Sequence, residues 1–194
     1  MDSSEGNAAQ MEEGLGAVRE VMRAAQFAAQ RHSAQRRKGA TAEPYVNHLL
    51  EVASLAAQAL PETDTHVVMA ALLHDSIEDV GVTKEELVET FGSDVARLVV
   101  ECTDDKRLPK AERKRLQIVH APRKSVRAQV IKLADKISNL RAILVSPPAD
   151  WSLQRRLDYF EWAKQVVDGL TAPNAMLKAE FEGLYAKVRT LGTV

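Results

Sequence analysis

Between Val67 and Leu73 the chain reads VVMAALL, apolar around the whole circumference of a helix, which implies burial on every face. Elsewhere apolar positions recur at three- and four-residue steps. On that period, segments 46–59, 64–80, 84–90, 94–103, 110–119, 124–144, 152–168 and 174–190 are predicted as helices. Ahead of them, Val18, Met22, Ala25, Ala29 and His32 form one stripe of a further helix. Boundary signals agree with this division. Thr83 with Glu86 reads as a capping box, Ser93 follows Gly92 ahead of an apolar run, Gly81 stops the 64–80 segment, and Pro147-Pro148 closes 124–144. Gly39 and Pro44 punctuate RRKGATAEPY as a loop. No stretch alternates as a half-buried strand with a hairpin turn would. The pattern predicts a single all-α domain, a bundle of about eight to ten helices over residues 14–194 with its last helix at about 174–190. Residues 1–13, poor in apolar side chains, are expected to form a disordered tail.

Composition narrows the function classes. With 45% hydrophobic and 27% charged residues in 194, the chain has material for a core and is not expected to be disordered. A net charge of -1 argues against a general nucleic-acid binder. One cysteine, Cys102, excludes an internal disulfide and cysteine-based zinc sites and fits a reducing compartment. VVMAALL is too short to span a bilayer, and the acidic start MDSSEGNAAQMEEG resembles neither a signal peptide nor an anchor. A cytoplasmic protein without membrane or nucleic-acid partners is expected.

The candidate chemistry begins where the apolar run ends. In ALLHDSIEDV, His74, Asp75, Glu78 and Asp79 arrive within two turns, with His74/Glu78 and Asp75/Asp79 each at four-residue spacing. If the helix runs on to Gly81, the acidic pair lies in its last turn, where the macrodipole disfavours carboxylates and a cation would explain them. His48 opens another amphipathic helix in EPYVNHLLEVASLAA. In VIKLADKISNLRAIL, Val126, Val130, Leu133, Ile137, Leu140 and Leu144 form one stripe. Asp135 and Asn139 fall on the other side with Ala128, Ile131 and Ala142, as on a helix packed on two faces. A carboxylate there needs a partner or a metal. His48, His74, Asp75 and Asp135 together suit a first-row divalent ion, which leaves positions open for water and lowers its pKa from 15.7 toward about 7. Glu78, helped by Asp79, would position or deprotonate that water. The competing reading is a structural polar network, since such networks also gather carboxylates. His32 reads as a satisfied core histidine, and His66 and His120 as surface residues.

The basic run KRLPKAERKR matches a nucleic-acid patch in composition, and a solvated helix face is the commonest fate of such a run. Without interleaved aromatics and at this net charge, attraction of an anionic substrate is the preferred reading.

These motifs together resemble a known family. HD…ED with an upstream His and a downstream Asp resembles the HD superfamily of metal-dependent phosphohydrolases. The succession HSAQRRK, EPYVNH, ALLHDSIEDV, FGSDVARLV, CTDDKRLPKAERKRLQ, VIKLADKISNLR and YFEWAKQVVDGL resembles the hydrolase domain of Rel/Spo alarmone enzymes, above all the free-standing small alarmone hydrolases that include metazoan SpoT homologues. The resemblance implies metal ligands at His48, His74, Asp75 and Asp135, with Mn²⁺ as the usual ion, and a catalytic acidic pair at Glu78 and Asp79. It implies nucleotide contacts at Arg37, Lys38, Tyr45, Lys110, Asn139 and Tyr159. The activity implied is removal of the 3′-pyrophosphate of guanosine tetra- or pentaphosphate, giving GDP or GTP and pyrophosphate. With no synthetase region in the sequence, a purely degrading protein is expected. The motif reads HDSIEDV where HDTVEDT is commoner, and Ala42 precedes Glu43 where long Rel proteins commonly have Gly-Glu-Pro. That loop approaches the base, so adenine alarmones are alternative substrates, and the resemblance also implies the 2′-phosphate of NADPH as a second alternative. A non-catalytic nucleotide-binding protein would lack a ligand or the acidic pair, and neither is missing.

Overall fold

In the computed structural model, residues 3–60 and 64–190 are described. Nine α-helices follow one another among these residues: α1 Ser3–Arg31, α2 Val46–Ala59, α3 Thr65–Leu73, α4 Ser76–Val80, α5 Lys84–Cys102, α6 Lys110–His120, α7 Val126–Val145, α8 Leu153–Asp168 and α9 Ala175–Ala186. Short 3₁₀ turns occupy Ala121–Arg123 and Lys187–Thr190. No strand occurs among the described residues, only an isolated antiparallel bridge between Arg36 and Pro44.

The fully apolar stretch is the centre of the bundle. Every residue of α3 from Val67 to Leu73 is buried, and α1, α2 and α5 pack around it. Asp64 caps its start by accepting the Val67 N–H at 3.2 Å. The second buried helix, α7, packs against α2, α5, α8 and α9. Val130, Leu133, Ile137 and Leu140 are buried on one side of it, and Ala128, Ile131, Asp135 and Ser138 on the other, so it is covered on two faces as its sequence predicts.

Three local expectations differ. The stripe through Val18 and Met22 is not the buried face of α1: these residues are 59% and 62% exposed, while Ala24, Ala28 and His32 are buried, with Val21, Ala25 and Phe27 packed at the margin. The packed edge is made of alanines, whose small side chains let α1 lie close to α3; a search for large apolar residues therefore selects the wrong side. Helical backbone also starts at Ser3, inside the segment expected to be a tail, and residues 1–2 lie outside the described ones. Finally, the helices expected at 84–90 and 94–103 are two arms of α5, bent at Gly92. Gly92 has φ 85° and ψ 162°, a backbone conformation essentially confined to glycine, so the junction between the two predicted helices is a kink.

The loop between α1 and α2 is anchored on the end of α7. A Cβ on Gly39 would stand 2.4 Å from the Ser146 carbonyl oxygen, so only glycine fits, and Thr41 N–H donates to Ser146 Oγ at 3.2 Å. Ala42 in the same loop takes a left-handed φ of 45°. This anchoring brings Arg37 and Lys38 over α7.

Candidate functional site

The run predicted as one helix over 64–80 breaks at His74 and Asp75. Asp75 (φ -99°, ψ 0°) leaves the helical region, ends α3 and stands at the N-cap of the five-residue α4. Glu78 and Asp79 therefore sit in the first turn of a short helix, and Gly81 caps it in left-handed conformation. Their position by itself therefore calls for no compensating cation, because carboxylates in a first turn are favoured. The corner arises without Gly or Pro. It frees the His74 and Asp75 side chains from helical register and turns both toward α2 and α7.

Four side chains converge there. His48 comes from α2, His74 and Asp75 from the corner, and Asp135 from α7. His48, His74 and Asp135 each bring one ligand atom within 4.8 Å of the others. His48 Nε2 lies 3.5 Å from Asp135 Oδ1 and 3.7 Å from Asp75 Oδ2, and His74 Nε2 lies 3.0 Å from Asp75 Oδ2. Both imidazoles are buried and neither Nε2 has a hydrogen-bond partner. His74 Nδ1 meets the Ala71 carbonyl at 2.7 Å. A carbonyl can only accept, so Nδ1 carries the proton and Nε2 is left to face the carboxylates. Unprotonated nitrogens aimed at carboxylate oxygens at this range repel unless a cation lies between them. The donor set, two imidazoles and carboxylates without thiolate, fits a first-row divalent metal. Without one, a proton takes its place. Burial lowers the basicity of both histidines, but the Asp75 and Asp135 carboxylates outweigh it at His74 and raise its pKa to about 9, whereas His48, further depressed by Arg37 and His74, falls to about 3.

The carboxylates are themselves held in place. Tyr45 donates its phenolic proton to Asp75 Oδ2 at 2.7 Å, and burial followed by that carboxylate raises the phenol's pKa. Lys136 Nζ pairs with Asp135 Oδ2 at 2.9 Å, leaving Oδ1 toward the histidines. Burial would raise the Asp135 pKa, but Lys136 and His74 hold it low. Asn139, one turn on, donates to Asp135 Oδ1 at 2.6 Å and accepts from Arg37 Nη1 at 3.1 Å.

Beside this cluster opens a cleft of about 470 Å³. All six residues expected to contact substrate are in its wall: Arg37, Lys38, Tyr45, Lys110, Asn139 and Tyr159. So are Gln35, Lys106, Lys114, Trp151 and Arg155, which the sequence reading leaves unnamed. Lys114 follows Lys110 by one turn of α6, whereas Lys106 lies in the turn ahead of that helix. Trp151, in the loop before α8, gives no local signal, whereas Arg155 lies one turn before Tyr159 on α8. The basic run divides by face. Arg107 and Arg115 pair outward with Asp105 and Glu112, while Lys106, Lys110 and Lys114 turn inward. Burial lowers the pKa of Lys110 and Lys114, and neighbouring cations (Arg155 and Lys38 at Lys110, Lys110 and Lys136 at Lys114) lower them further. A cleft whose cations repel one another in this way is suited to a polyanion.

Asp79 lines the cleft beside the cluster, and Glu78 stands next to Asp75 and Asp104. Asp79 accepts from Gln35 Nε2 at 2.7 Å and from Lys106 Nζ at 2.5 Å. Glu78 accepts from Arg113 Nη1 and the Asp104 N–H, both at 3.3 Å; burial, then Asp104 and Asp75, raise its pKa. His32 is half satisfied: Nδ1 meets Gln35 Oε1 at 2.5 Å, but its buried Nε2 has no partner. His66 and His120 are exposed, as expected.

Comparison with known proteins identifies the family. The HD domain family matches residues 24–158. Guanosine-3′,5′-bis(diphosphate) 3′-pyrophosphohydrolase MESH1 of Xenopus tropicalis is 48% identical over 165 residues, 85% of this chain and 92% of that protein. The human MESH1 is 47% identical over 166 residues, 86% and 93% of the two chains. A solved structure described as a metazoan ortholog of SpoT that hydrolyzes ppGpp and plays a role in starvation responses superposes with a TM-score of 0.83 at 46% identity, covering 90% of this chain and 97% of that one. With a buried His/Asp cluster at the corner of the matched region and relatives aligned over nearly their whole length, the chain belongs to the HD-domain family and, within it, to the MESH1 group of SpoT-like proteins.

Proposed function

We propose that this chain is a metal-dependent guanosine-3′,5′-bis(diphosphate) 3′-pyrophosphohydrolase, converting ppGpp to GDP and pyrophosphate, and pppGpp to GTP and pyrophosphate, with Mn²⁺ as its ion. The observation that carries this reading is the adjacency of a buried His/Asp cluster to a cleft of mutually repelling cations, in a chain whose relatives bear that activity's name. Within this reading, residues 14–194 form the hydrolase domain and His48, His74, Asp75 and Asp135 hold the ion. When bound, the ion supplies Lewis acidity at the reacting phosphorus and makes water a usable nucleophile at neutral pH.

The protein's own groups do the rest. Arg37 and Tyr45 flank the space for the purine, the guanidinium lying 5.8 Å from the phenol ring centre, and Lys38 lies beside them. Asn139, tied to both Arg37 and Asp135, sets the ribose between base site and cluster. Lys106, Lys110, Lys114 and Arg155 neutralise the phosphates, and Tyr159 closes the wall against Trp151 and Trp162. Glu78, with its raised pKa, takes a proton from the attacking water and returns it to the ribose 3′-oxygen as the bond from that oxygen to phosphorus breaks. Pyrophosphate leaves carrying the water's oxygen. Asp79 holds Lys106 and Gln35 in position. Cys102 is buried and unpaired, in keeping with a protein of the reducing cytoplasm.

The test is direct. Metal-stripped protein is incubated with ppGpp, with and without Mn²⁺, beside Asp75→Ala. Mn²⁺-dependent release of GDP and pyrophosphate that disappears in the variant is expected. No release from ppGpp by protein that binds the ion defeats the guanine reading and directs the assay to ppApp and NADPH.

A further inference from the structure

A chain of polar side chains runs away from the cluster behind His48 and takes no part in the steps above. His48 Nδ1 stands 2.8 Å from Ser138 Oγ, and Ser138 Oγ stands 2.5 Å from Glu51 Oε2. The other carboxylate oxygen of Glu51 accepts from Arg141 Nη1 at 2.6 Å, and Arg141 reaches on to pair with Glu180 of α9. Ser138 is fully buried and His48 nearly so.

Counting protons along this chain gives its direction. Glu51, ion-paired to Arg141, can only accept. A hydroxyl has one proton, so Ser138 spends it on Glu51 and must itself accept from His48. His48 therefore carries its proton on Nδ1 and keeps the lone pair on Nε2, the atom that faces Asp75 and Asp135 without a hydrogen-bond partner. A buried serine in mid-helix has an easier partner in the carbonyl one turn back along its own helix. Ser138 instead bridges from α7 to two residues of α2. His74 reaches the same state by another route, through the Ala71 carbonyl. Both histidines thus present Nε2, one set by backbone and one by a serine–glutamate pair.

We propose that Ser138 and Glu51 are positioning residues that hold His48 in its Nδ1–H tautomer and so present Nε2 to the centre. That the centre is a metal site rests on the function proposed above; the tautomer itself does not. Outer hydrogen bonds of this kind orient imidazole ligands and typically change metal affinity by about 10–100-fold when removed.

Two readouts on the whole 194-residue chain test this. In metal-free, ¹⁵N-labelled protein, long-range proton–nitrogen correlation spectra report which nitrogen of His48 carries the proton. Mn²⁺ titration then gives affinity. Wild type is expected to show Nδ1–H. Ser138→Ala, and Glu51→Gln, whose amide can donate back to the serine, are expected to populate Nε2–H and to bind Mn²⁺ about 10–100-fold more weakly. Glu180→Gln breaks only the outermost pair and is expected to change neither. A wild-type His48 protonated on Nε2, or an unchanged tautomer in both variants, overturns the proposal. So does undiminished Mn²⁺ affinity in both. A wild type with the Nδ1–H tautomer, lost in Ser138→Ala, but no bound ion upholds the positioning device and defeats the metal reading instead.

Discussion

Glu78 and Asp79 are neighbours in the chain, yet their partners assign them different work. Asp79 has an oxygen on Gln35 and an oxygen on Lys106, while Glu78 is half-buried beside two other carboxylates, and burial and those charges raise its pKa. In the proposed reaction Glu78 is therefore the proton carrier and Asp79 the anchor. Glu78→Gln is expected to lower kcat by about 10²–10⁴-fold. Asp79→Asn is expected to act mainly on KM, through Lys106. The acid limb of the kcat/KM profile should lie above the ordinary glutamate value of about 4.3 and vanish from whatever activity Glu78→Gln retains. An acid limb that survives in Glu78→Gln but is lost in Asp79→Asn would reverse the assignment.

Removing the metal exposes two opposed titrations. His74 has a folded pKa of about 9 against an ordinary value near 6.5, so its contribution is complete below about pH 6.5 and is lost as pH rises through 9. His48, at about 3, contributes above pH 6.5 and loses that contribution as pH falls toward 3. Calorimetry on chelator-treated protein should therefore show Tm highest near pH 6.5 and falling on both sides. Saturating Mn²⁺ should lift the alkaline side most, since the ion replaces the His74 proton there. His74→Asn should lack the alkaline decline; if it keeps the full decline, the histidine is not its source.

The inward lysines should act on binding. Lys110→Ala and Lys114→Ala are each expected to raise KM about tenfold, matching the roughly 1.5 kcal/mol of a hydrogen bond to a charged group, with a smaller effect on kcat. KM should also climb less steeply with salt in the variants, because part of the screened attraction is gone. Initial rates across a series of NaCl concentrations measure both, and an unchanged salt slope would place these side chains outside the substrate's reach.

Ala42 carries a φ of 45° in the loop that presents Arg37 and Lys38. The left-handed region costs a residue with a Cβ roughly 1–2 kcal/mol, partly offset in glycine by its freer unfolded chain. Ala42→Gly is expected to stabilise the protein by up to about 1 kcal/mol, read as a small rise in urea midpoint at unchanged m-value. A drop in the midpoint would mean that the loop is held by something other than its backbone strain.

How far the chain could be read in advance follows from where a polar residue is costly. Imidazoles and carboxylates closing an apolar helix, or opposite the main stripe of α7, stand out because burial penalises them, and His48, His74, Asp75 and Asp135 do meet. Ser138 and Glu51 do not stand out, since serine and glutamate at ordinary helical positions look like surface until the partner helix is in place. The corner at Asp75 is equally silent, with no Gly or Pro to announce it. The face of α1 differs for the opposite reason: Val18 and Met22 are the more hydrophobic residues, but close packing on α3 selects alanines. Trp151 enters the cleft from the loop before α8, where no helical period applies, while Arg155 lies one turn before Tyr159 on α8.

The corner at Asp75 also divides the molecule by tolerance to change. His74 and its neighbours up to Val67 are locked in the most crowded part of the interior, where one altered methylene is felt. Glu78 and Asp79 ride on a five-residue helix at the rim, only partly buried. Substitutions in that short helix can retune the proton chemistry, or silence it, while the centre behind it keeps its shape. In the proposed reaction the proton carrier is a rim fitting on a rigid mount.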